Sequence, residues 1–389
     1  MKKLNIAFFS GNRAEYGMMR PFIKSFQNDP FFNPFLIVSG SHLKRDLGST
    51  YSEIKKDKIK NIKKIYINSK TNTLNQSCDY FNILQKQINN FLKKNRIDIF
   101  FLFSDRFETM SAAVTAYLNK IPIIHYEGGD KTEGGTLDDN LRHSITKLSN
   151  IHLTSNKDSY YRIIKFGEEK WRVINVGYST FLNFNKSNLL SNQEIINKFN
   201  LDFKKKLILF TMHPLPLKMS ETSKEIKEAI KALIKLDQEK FQIIATYPNF
   251  DPGYKIILKE LNKMKKRKNF QLFKSLGTQN YHSLLNYIGS NNSGICLGNS
   301  SSGIKEPVFF KCKSINIGSR QNNRVKTKNV TDIKKINHKY IYNIILKKIN
   351  GKFNTNSNPY AIRLSLSNIK KKIFRLLKKK NFNFKKCTY

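Results

Sequence analysis

Short apolar runs, each closed by a polar turn and followed by a segment of helical spacing, recur along almost the whole chain. This repeat limits the fold more than any other feature. Leu4 to Ser10 reads as a strand, followed by the turn Gly11-Asn12-Arg13-Ala14-Glu15-Tyr16-Gly17 and a helix through Phe26. Residues 35–39 give a second strand with the exit turn Gly40-Ser41-His42. Over residues 74–94, Phe81, Leu84, Ile88, Phe91 and Leu92 share one helical face. Residues 97–103 and 121–124 are apolar runs without alternation, as the interior of a parallel sheet requires. Residues 151–154 and 173–176 are shorter strands. After a polar, asparagine-rich stretch at 178–204 the repeat restarts, with strands at 207–211, 241–247, 271–273 and 294–297 and helices at 221–236, 254–266 and 280–288.

Strands and helices that alternate in this way predict an α/β chain built on doubly wound parallel sheets. The restart predicts two Rossmann-like domains, over residues 1–180 and 181–358. Asn358-Pro359 breaks the chain before a last basic helix, and residues 359–389 are expected to pack back on the first domain. A length of 389 residues suits two such domains.

The net charge is +42, from 70 Lys and Arg against 28 Asp and Glu. The lysines are scattered, with denser runs only at 263–268 and 370–386, so they read as solvated faces and no nucleic-acid partner is expected. Such a field still attracts an anionic small molecule. No segment reaches the roughly 18 uncharged apolar residues of a membrane span, so no integral membrane contact is expected. The N-terminal apolar run is too short for a signal peptide and runs straight into Gly11, so the cytoplasm is the expected location. Cys78, Cys296, Cys312 and Cys387 form no C-x-x-C pair and are expected as reduced thiols. Neither a metal nor a cofactor is suggested by the spacing of ligand-type residues.

Acid is scarce in this chain, yet five acidic side chains fall within residues 125–143, H-Y-E-G-G-D-K-T-E-G-G-T-L-D-D-N-L-R-H. Glu127 ends a buried strand directly before two glycines, where a backbone can approach a ligand closely. Asp105 ends the strand at 97–103. Neighbouring parallel strands lie about 4.8 Å apart, so Asp105 and Glu127 can converge at one sheet edge with Asp138 nearby. Like charges that close push their pKa values apart and can supply both an acid and a base. Thr136 and Asp139 have the spacing of a capping box, which gives Asp139 a structural task. Asp130 and Glu133 are read as shaping the loop.

A second cluster, Gly298-Asn299-Ser300-Ser301-Ser302-Gly303, lies between a strand and a helix, where hydroxyls and amide N–H groups make an anion site. Glu306 follows one turn later, placed to accept from ribose hydroxyls. Arg13 sits in the first β–α turn, a natural phosphate position. His213 leaves the first strand of the second domain, and Arg320 leaves another strand end.

These residues carry a resemblance. The chain is similar to the hydrolysing UDP-N-acetylglucosamine 2-epimerases of sialic acid-type (nonulosonate) synthesis. The resemblance rests on G-N-R-A-E-Y at 11–16, S-D-R-F-E at 104–108, the acidic run at 125–143 and H-P at 213–214. Y-P-N-F-D at 247–251, G-N-S-S-S-G-I-K-E at 298–306 and N-I-G-S-R-Q at 316–321 complete it. It implies two Rossmann-like domains of glycosyltransferase-B type with the active site in the interdomain cleft, a sugar nucleotide as partner, and a homo-oligomer. It also implies that Asp105, Glu127 and Asp138 are the catalytic carboxylates and His213 the cleft histidine. Arg13, Asn249, Ser300, Ser301, Ser302, Glu306 and Arg320 are implied to hold the nucleotide sugar. Two departures stand out: the family's G-D-R has Ser104 in place of its glycine, and N-P-Y-G-D-G becomes Asn358-Pro359-Tyr360-Ala361-Ile362.

The implied reaction needs these groups. UDP leaves C1 of UDP-N-acetylglucosamine as a carboxylate removes the anti proton from C2, giving a 2-acetamidoglucal. Water then adds at C1 and a proton reaches C2 from the other face, giving N-acetylmannosamine. Asp105, Glu127 and Asp138 share the base, acid and charge-stabilising tasks between them. A rival substrate is a UDP- or GDP-linked 2,4-diacetamido-2,4,6-trideoxyglucose, on the route to legionaminic acid. A rival class is a glycosyltransferase of the same fold.

Overall fold

The computed structural model describes residues 3–44, 51–68, 73–132, 136–182, 185–355, 357–362 and 364–388. Glu133, in the acidic loop, lies outside them. The chain divides into two compact units: the first comprises residues 1–130, 137–184 and 359–389, the second residues 131–136 and 185–358.

The first unit runs β1 (Leu4–Ser10), α1 (Arg13–Gln27), β2 (Phe32–Val38), α2 (Tyr51–Lys56), β3 (Asn61–Lys64), α3 (Leu74–Lys94), β4 (Ile99–Phe103), α4 (Phe107–Leu118), β5 (Ile123–Tyr126), α5 (Asp138–Leu148), β6 (Ile151–Thr154), α6 (Lys157–Lys165) and β7 (Val173–Asn175). The second runs α7 (Asn192–Phe199), β8 (Lys206–Thr211), α8 (Met219–Ile234), β9 (Phe241–Thr246), α9 (Tyr254–Lys263), β10 (Phe270–Phe273), α10 (Gly277–Asn291), β11 (Gly294–Gly298), α11 (Ser302–Lys305), β12 (Ser314–Ile317), β13 (Val330–Ile333) and α12 (His338–Ile349). The last helix, α13 (Leu366–Leu377), belongs to the first unit.

Among the described residues the first sheet has the order β3-β2-β1-β4-β5-β6-β7 and the second β10-β9-β8-β11-β12-β13. Their paired strands are parallel. Winding reverses between β1 and β4 in one sheet and between β8 and β11 in the other, and ligands of such sheets bind beyond the strand ends at that reversal. The expected pair of doubly wound parallel sheets is therefore present.

The two cores differ in material. The first packs rings together: Phe8 stacks on Phe101 at 4.9 Å, and Phe22 lies tilted against Phe101 at 5.1 Å and edge-on to Tyr126 at 5.3 Å between centroids. The second is largely aliphatic, with Ile208, Ile226, Leu233, Ile243 and Ile257 wholly or almost wholly buried. α13 joins the first core: its Phe374 ring lies 5.7 Å from Phe31, and Lys370 reaches Asp29 at 2.6 Å. All four cysteines are free thiols. No helix among the described residues is long and apolar enough to cross a membrane.

Two local expectations change. The strand expected at 121–124 is Ile123–Tyr126, so His125 and Tyr126 belong to the strand and not to the acidic loop. A histidine can lie there because both ring nitrogens have partners, Ser104 O at 2.7 Å and Thr146 Oγ1 at 3.2 Å. Burial pulls His125 down to about 3, so the ring is neutral and Nε2–H donates to the Ser104 carbonyl. The capping box is also elsewhere. α5 starts at Asp138 with Leu137 as its cap residue, and Asp139 pairs with Arg142 at 2.5 Å. Capping boxes lie at the start of α1, where Asn12 accepts from the Glu15 backbone and the Glu15 carboxylate reaches back, and at the start of α7, where Ser191 and Glu194 do the same.

Candidate active site

In the first unit, β4 and β5 end side by side, with Phe103 opposite Tyr126. Ser104 and Glu127, the next residue on each strand, both take left-handed backbone conformations, with φ of +69° and +70°. Such angles are costly for residues with a Cβ and occur where surrounding structure fixes them. Here Ser104 N–H donates to Tyr126 O and Glu127 N–H to Leu153 O, each at 2.9 Å. The turn therefore bends sharply after each strand, which sends Asp105 and Glu127 off adjacent strand ends. Ser104 occupies a position whose geometry suits glycine, which accounts for the glycine of the G-D-R pattern. Glu127 is 5% exposed.

Sequence reasoning missed the group these carboxylates gather around. Arg142, one turn into α5, is buried and donates to Asp105, to Asp139 and, at 2.9 Å, to the Asp130 carbonyl. Burial would lower its proton affinity, but Asp105, Asp130, Asp139 and Asp138 together raise it above the usual arginine value. The acidic cluster is thus a set of carboxylates around a buried cation, and not the bare like-charge group expected. Arg142 could have been found by its spacing, three residues after Asp139 and three before Ile145 on the buried side of a helix.

The glycines after Glu127 serve packing. A Cβ on Gly128 would meet Thr146 Oγ1 at 2.9 Å, and one on Gly129 would meet Ser159 O at 2.5 Å. The space they free is filled by α5 and α6.

A second buried network underlies the first turn. Glu15 accepts from Gly11 N–H at 2.5 Å and Asn12 N–H at 3.3 Å, and Arg106 grips Glu108 with two bonds of 3.1 Å. Burial, with the neighbouring Glu108 charge, pushes Glu15 up to about 8. The glutamates in G-N-R-A-E-Y and S-D-R-F-E therefore brace the turns that present Arg13 and Asp105. Arg13 is the first residue of α1, partly buried. Burial pulls nearby His42 down to about 3, and the Arg13 charge acts in the same direction. At the departure near the C-terminus, the Tyr360 carbonyl accepts from Tyr178 N–H at 3.0 Å, and Ile362 packs against Gly177.

In the second unit the strand-end groups meet at Asn299, which is wholly buried. Its amide clamps the His213 backbone from both sides, accepting from N–H at 2.6 Å and donating to C=O at 2.9 Å. Its carbonyl takes Gln321 at 2.8 Å and Arg320 at 3.4 Å. His213 Nδ1 accepts from the Asn249 backbone N–H at 2.9 Å, so the neutral ring carries its proton on Nε2, 3.3 Å from Ser300 Oγ. Ser300 and Ser302 lie 2.9 Å apart, and Tyr281 donates to Ser302 at 3.2 Å. Ser301 is the residue before α11 and partly buried.

The helix expected after the serine turn is a single turn, α11, and the chain passes at Pro307 into a short 3-10 segment. A helix of four residues offers an anion little dipole. Glu306 is held by His282 at 2.7 Å, with both side chains buried. Glu225 of α8 accepts from Ser319 N–H at 3.3 Å, and burial pushes it up to about 7. Gly318 must be glycine for this contact: at φ +80°, a Cβ would lie 1.9 Å from the Glu225 carboxylate. In the sequence Asn299 reads only as part of the serine cluster, and His282 and Glu225 carry no expectation, because each acts through a neighbour and a lone polar residue has no spacing to reveal it.

The model of the UDP-N-acetylglucosamine 2-epimerase family matches residues 24–373 of the chain. The GDP/UDP-N,N'-diacetylbacillosamine 2-epimerase (hydrolyzing) of Campylobacter jejuni is 34% identical over 334 residues, 85% of each chain. The polysialic acid biosynthesis protein P7 of Escherichia coli is 30% identical over 388 residues, 99% of this chain and 97% of its own. The UDP-GlcNAc 2-epimerase of Neisseria meningitidis, solved bound to UDP-GlcNAc, has a TM-score of 0.76 at 17% identity and covers 96% of this chain and 100% of that one, a likeness of fold. With a family match that spans most of its length and relatives alike from end to end, this chain belongs to the UDP-N-acetylglucosamine 2-epimerase family.

Proposed function

We propose that the chain is a hydrolysing 2-epimerase that converts UDP-N-acetylglucosamine and water to N-acetylmannosamine and UDP, for nonulosonate synthesis. The observation that carries this reading is the carboxylate cluster at the ends of β4, β5 and the start of α5. Glu127 and Asp105 leave adjacent strands and Asp138 opens the helix that brings in Arg142.

One carboxylate removes the C2 proton as the C1–O bond to UDP breaks, and a second, ionised, stabilises the positive charge that develops at C1. Arg142 holds Asp105 and Asp139 in place by direct hydrogen bonds. Glu127, which is not among the carboxylates that dominate the Arg142 charge, is our choice for proton transfer. On the other unit, Ser300, Ser301 and Ser302, the His213 Nε2–H and Arg320 receive the departing diphosphate, and Glu306 the ribose. Asn249 acts through its backbone by fixing the His213 proton on Nε2. Arg13 adds positive charge for the phosphates. Water then adds across the glucal, its oxygen to C1 and a proton to C2 from the face opposite the one that lost it.

A second substrate reading is the UDP- or GDP-linked 2,4-diacetamido-2,4,6-trideoxyglucose. The name of the Campylobacter relative, at 34% identity, favours it. The name of the Escherichia relative fits a sialic acid-type route.

The test is incubation with each sugar nucleotide alone in deuterated water. The first reading expects free UDP and N-acetylmannosamine with deuterium at C2. Turnover of the diacetamido sugar nucleotide only would replace the substrate and keep the mechanism. Release of UDP-N-acetylmannosamine would replace hydrolysis by simple epimerisation, and turnover only with an added acceptor would make the chain a transferase.

A further inference from the structure

α5 begins at Asp138 and holds Arg142 one turn in. Its other end is held by residues more than two hundred positions later. The Lys385 ammonium donates to the carbonyls of Thr146, Lys147 and Ser149 at 3.4, 2.6 and 3.0 Å. They lie in the last turn and at the cap of α5, where carbonyls run short of backbone donors; the Thr146 carbonyl also accepts from Ser149 N–H at 3.1 Å. The same ammonium lies 2.8 Å from Glu168, whose side chain is wholly buried. His152 Nε2 reaches that carboxylate at 3.0 Å and Lys147 at 3.2 Å. Burial acts to raise Glu168, and the bond to His152 and the Lys385 ammonium outweigh it and bring it down to about 2.

The tail that carries Lys385 is itself fixed. The buried Arg172 guanidinium donates to the carbonyls of Phe382 at 2.8 Å and Phe384 at 2.9 Å, and Thr388 N–H donates to Gly167 O at 3.0 Å. α5 is therefore a short rod tied at both ends. Eleven residues at about 1.5 Å each make it about 16 Å long. Arg142 ties it to Asp105 and to the Asp130 carbonyl, and Lys385 ties its last turn.

We propose that the C-terminal tail sets the position of the first turn of α5, with Lys385 as a positioning residue for the reaction centre. This rests on the function proposed above. Without the ammonium, three carbonyls lose a donor and Glu168 keeps only Lys147 and His152, the last turn moves toward water, and the rod tilts about Arg142. The displacement appears at Asp138 and at the Arg142–Asp105 contact. A misplacement of about 1 Å can lower a rate by about 10²-fold.

The test compares Lys385→Met and the milder Lys385→Gln with Lys385→Arg in the full chain. Three readouts are taken well below the unfolding temperature: backbone hydrogen exchange over residues 138–149, kcat for the sugar nucleotide that turns over, and affinity for UDP. The expected result for Lys385→Met and Lys385→Gln is faster exchange along α5, kcat lower by about 10- to 100-fold and UDP affinity within about twofold of wild type. Lys385→Arg, which keeps the cation and its donors, should recover most of the rate. Unchanged exchange in α5 overturns the tie. Faster exchange with unchanged kcat overturns the positioning role and leaves a structural clamp. A wild-type chain that turns over neither sugar nucleotide overturns the proposed function, and the exchange comparison then decides the tail's hold on the helix by itself.

Discussion

The two units wind their first six strands in the same relative order, and each uses the helix after its first strand in the same way. α1 and α8 each carry a buried glutamate whose carboxyl accepts from a backbone N–H of a strand-end turn, Glu15 from Gly11 and Glu225 from Ser319. What differs is the organiser at the strand ends. In the first unit it is a cation, Arg142, ringed by carboxylates; in the second it is neutral, Asn299, whose side-chain amide clamps His213 and whose backbone carbonyl takes Arg320 and Gln321. One scaffold thus carries a charged organiser at one set of turns and a neutral one at the other, which the proposed function reads as a proton-transfer site and an anion-receiving site. The chemistry is set by what leaves the strands, not by the winding.

The sharpest way to break this comparison is Glu127→Gln. If proton transfer belongs to the first unit, turnover should fall by about 10³-fold or more while UDP affinity stays within about twofold, measured by steady-state kinetics and calorimetry. A matching loss of UDP affinity would merge the two tasks.

Next come the organisers. Arg142→Met leaves buried carboxylates without their cation and should cost about 3–5 kcal/mol in denaturant unfolding. Asn299→Ala strands neutral donors and acceptors and should cost about 1–3 kcal/mol. Equal costs would erase the distinction between a charged and a neutral organiser. On the binding side, Arg320→Ala should weaken UDP by about 10- to 100-fold, the scale of a charged hydrogen bond. Arg13→Ala should weaken it by less, and unchanged affinity would remove Arg13 from the phosphate site.

The shared glutamates give a pH test. Glu15 and Glu225 have folded pKa values of about 8 and about 7, above the usual 4.5. A raised carboxyl pKa contributes stability that is full below about pH 4.5 and is lost as pH rises through the folded value. These two groups should therefore lower wild-type stability from about pH 6.5, where the buried His42 and His125 no longer oppose them, to about pH 8. Glu15→Gln should flatten the decline up to about pH 8, and Glu225→Gln up to about pH 7. Asp57 and Glu168, both held near 2, act only below this window. Parallel pH curves for wild type and both variants would contradict the assignment. The smallest effect is expected for Ser104→Gly, which relieves a left-handed backbone and should stabilise by about 0.5–1 kcal/mol with kcat unchanged.

Much of this was legible in the sequence because it is periodic or punctuated. The apolar runs that became β1, β4, β8 and β11 announced parallel strands, and motif residues such as Glu127 and Asn299 sit at strand ends, where the pattern stops. The less periodic pieces were harder to see. β3 is an edge strand of Asn, Ile and two lysines, with no apolar run to betray it. The strand at Ile123–Tyr126 ran on through His125 because burial keeps that ring neutral and both nitrogens bonded, a fact of tertiary context. Thr136 and Asp139 had capping-box spacing, but the Arg142 guanidinium competes for the same carboxylate and wins it through charge. Asn12 and Glu15 formed a capping box instead, hidden inside a motif that had been read for its arginine. Lys385 was one basic residue among many, and only its contacts set it apart.

The Arg172 contacts carry a consequence for how the chain is made. Arg172 closes on Phe382, 210 residues further along. The first unit therefore includes a stretch synthesised after almost all of the second. During translation it must wait, with β6, β7 and the buried Glu168 lacking their last partners, while residues 185–358 emerge and fold. Completion of the first unit thus waits on synthesis of the second, and a ribosome stalled near residue 358 would hold a first unit without the segment that carries Phe382.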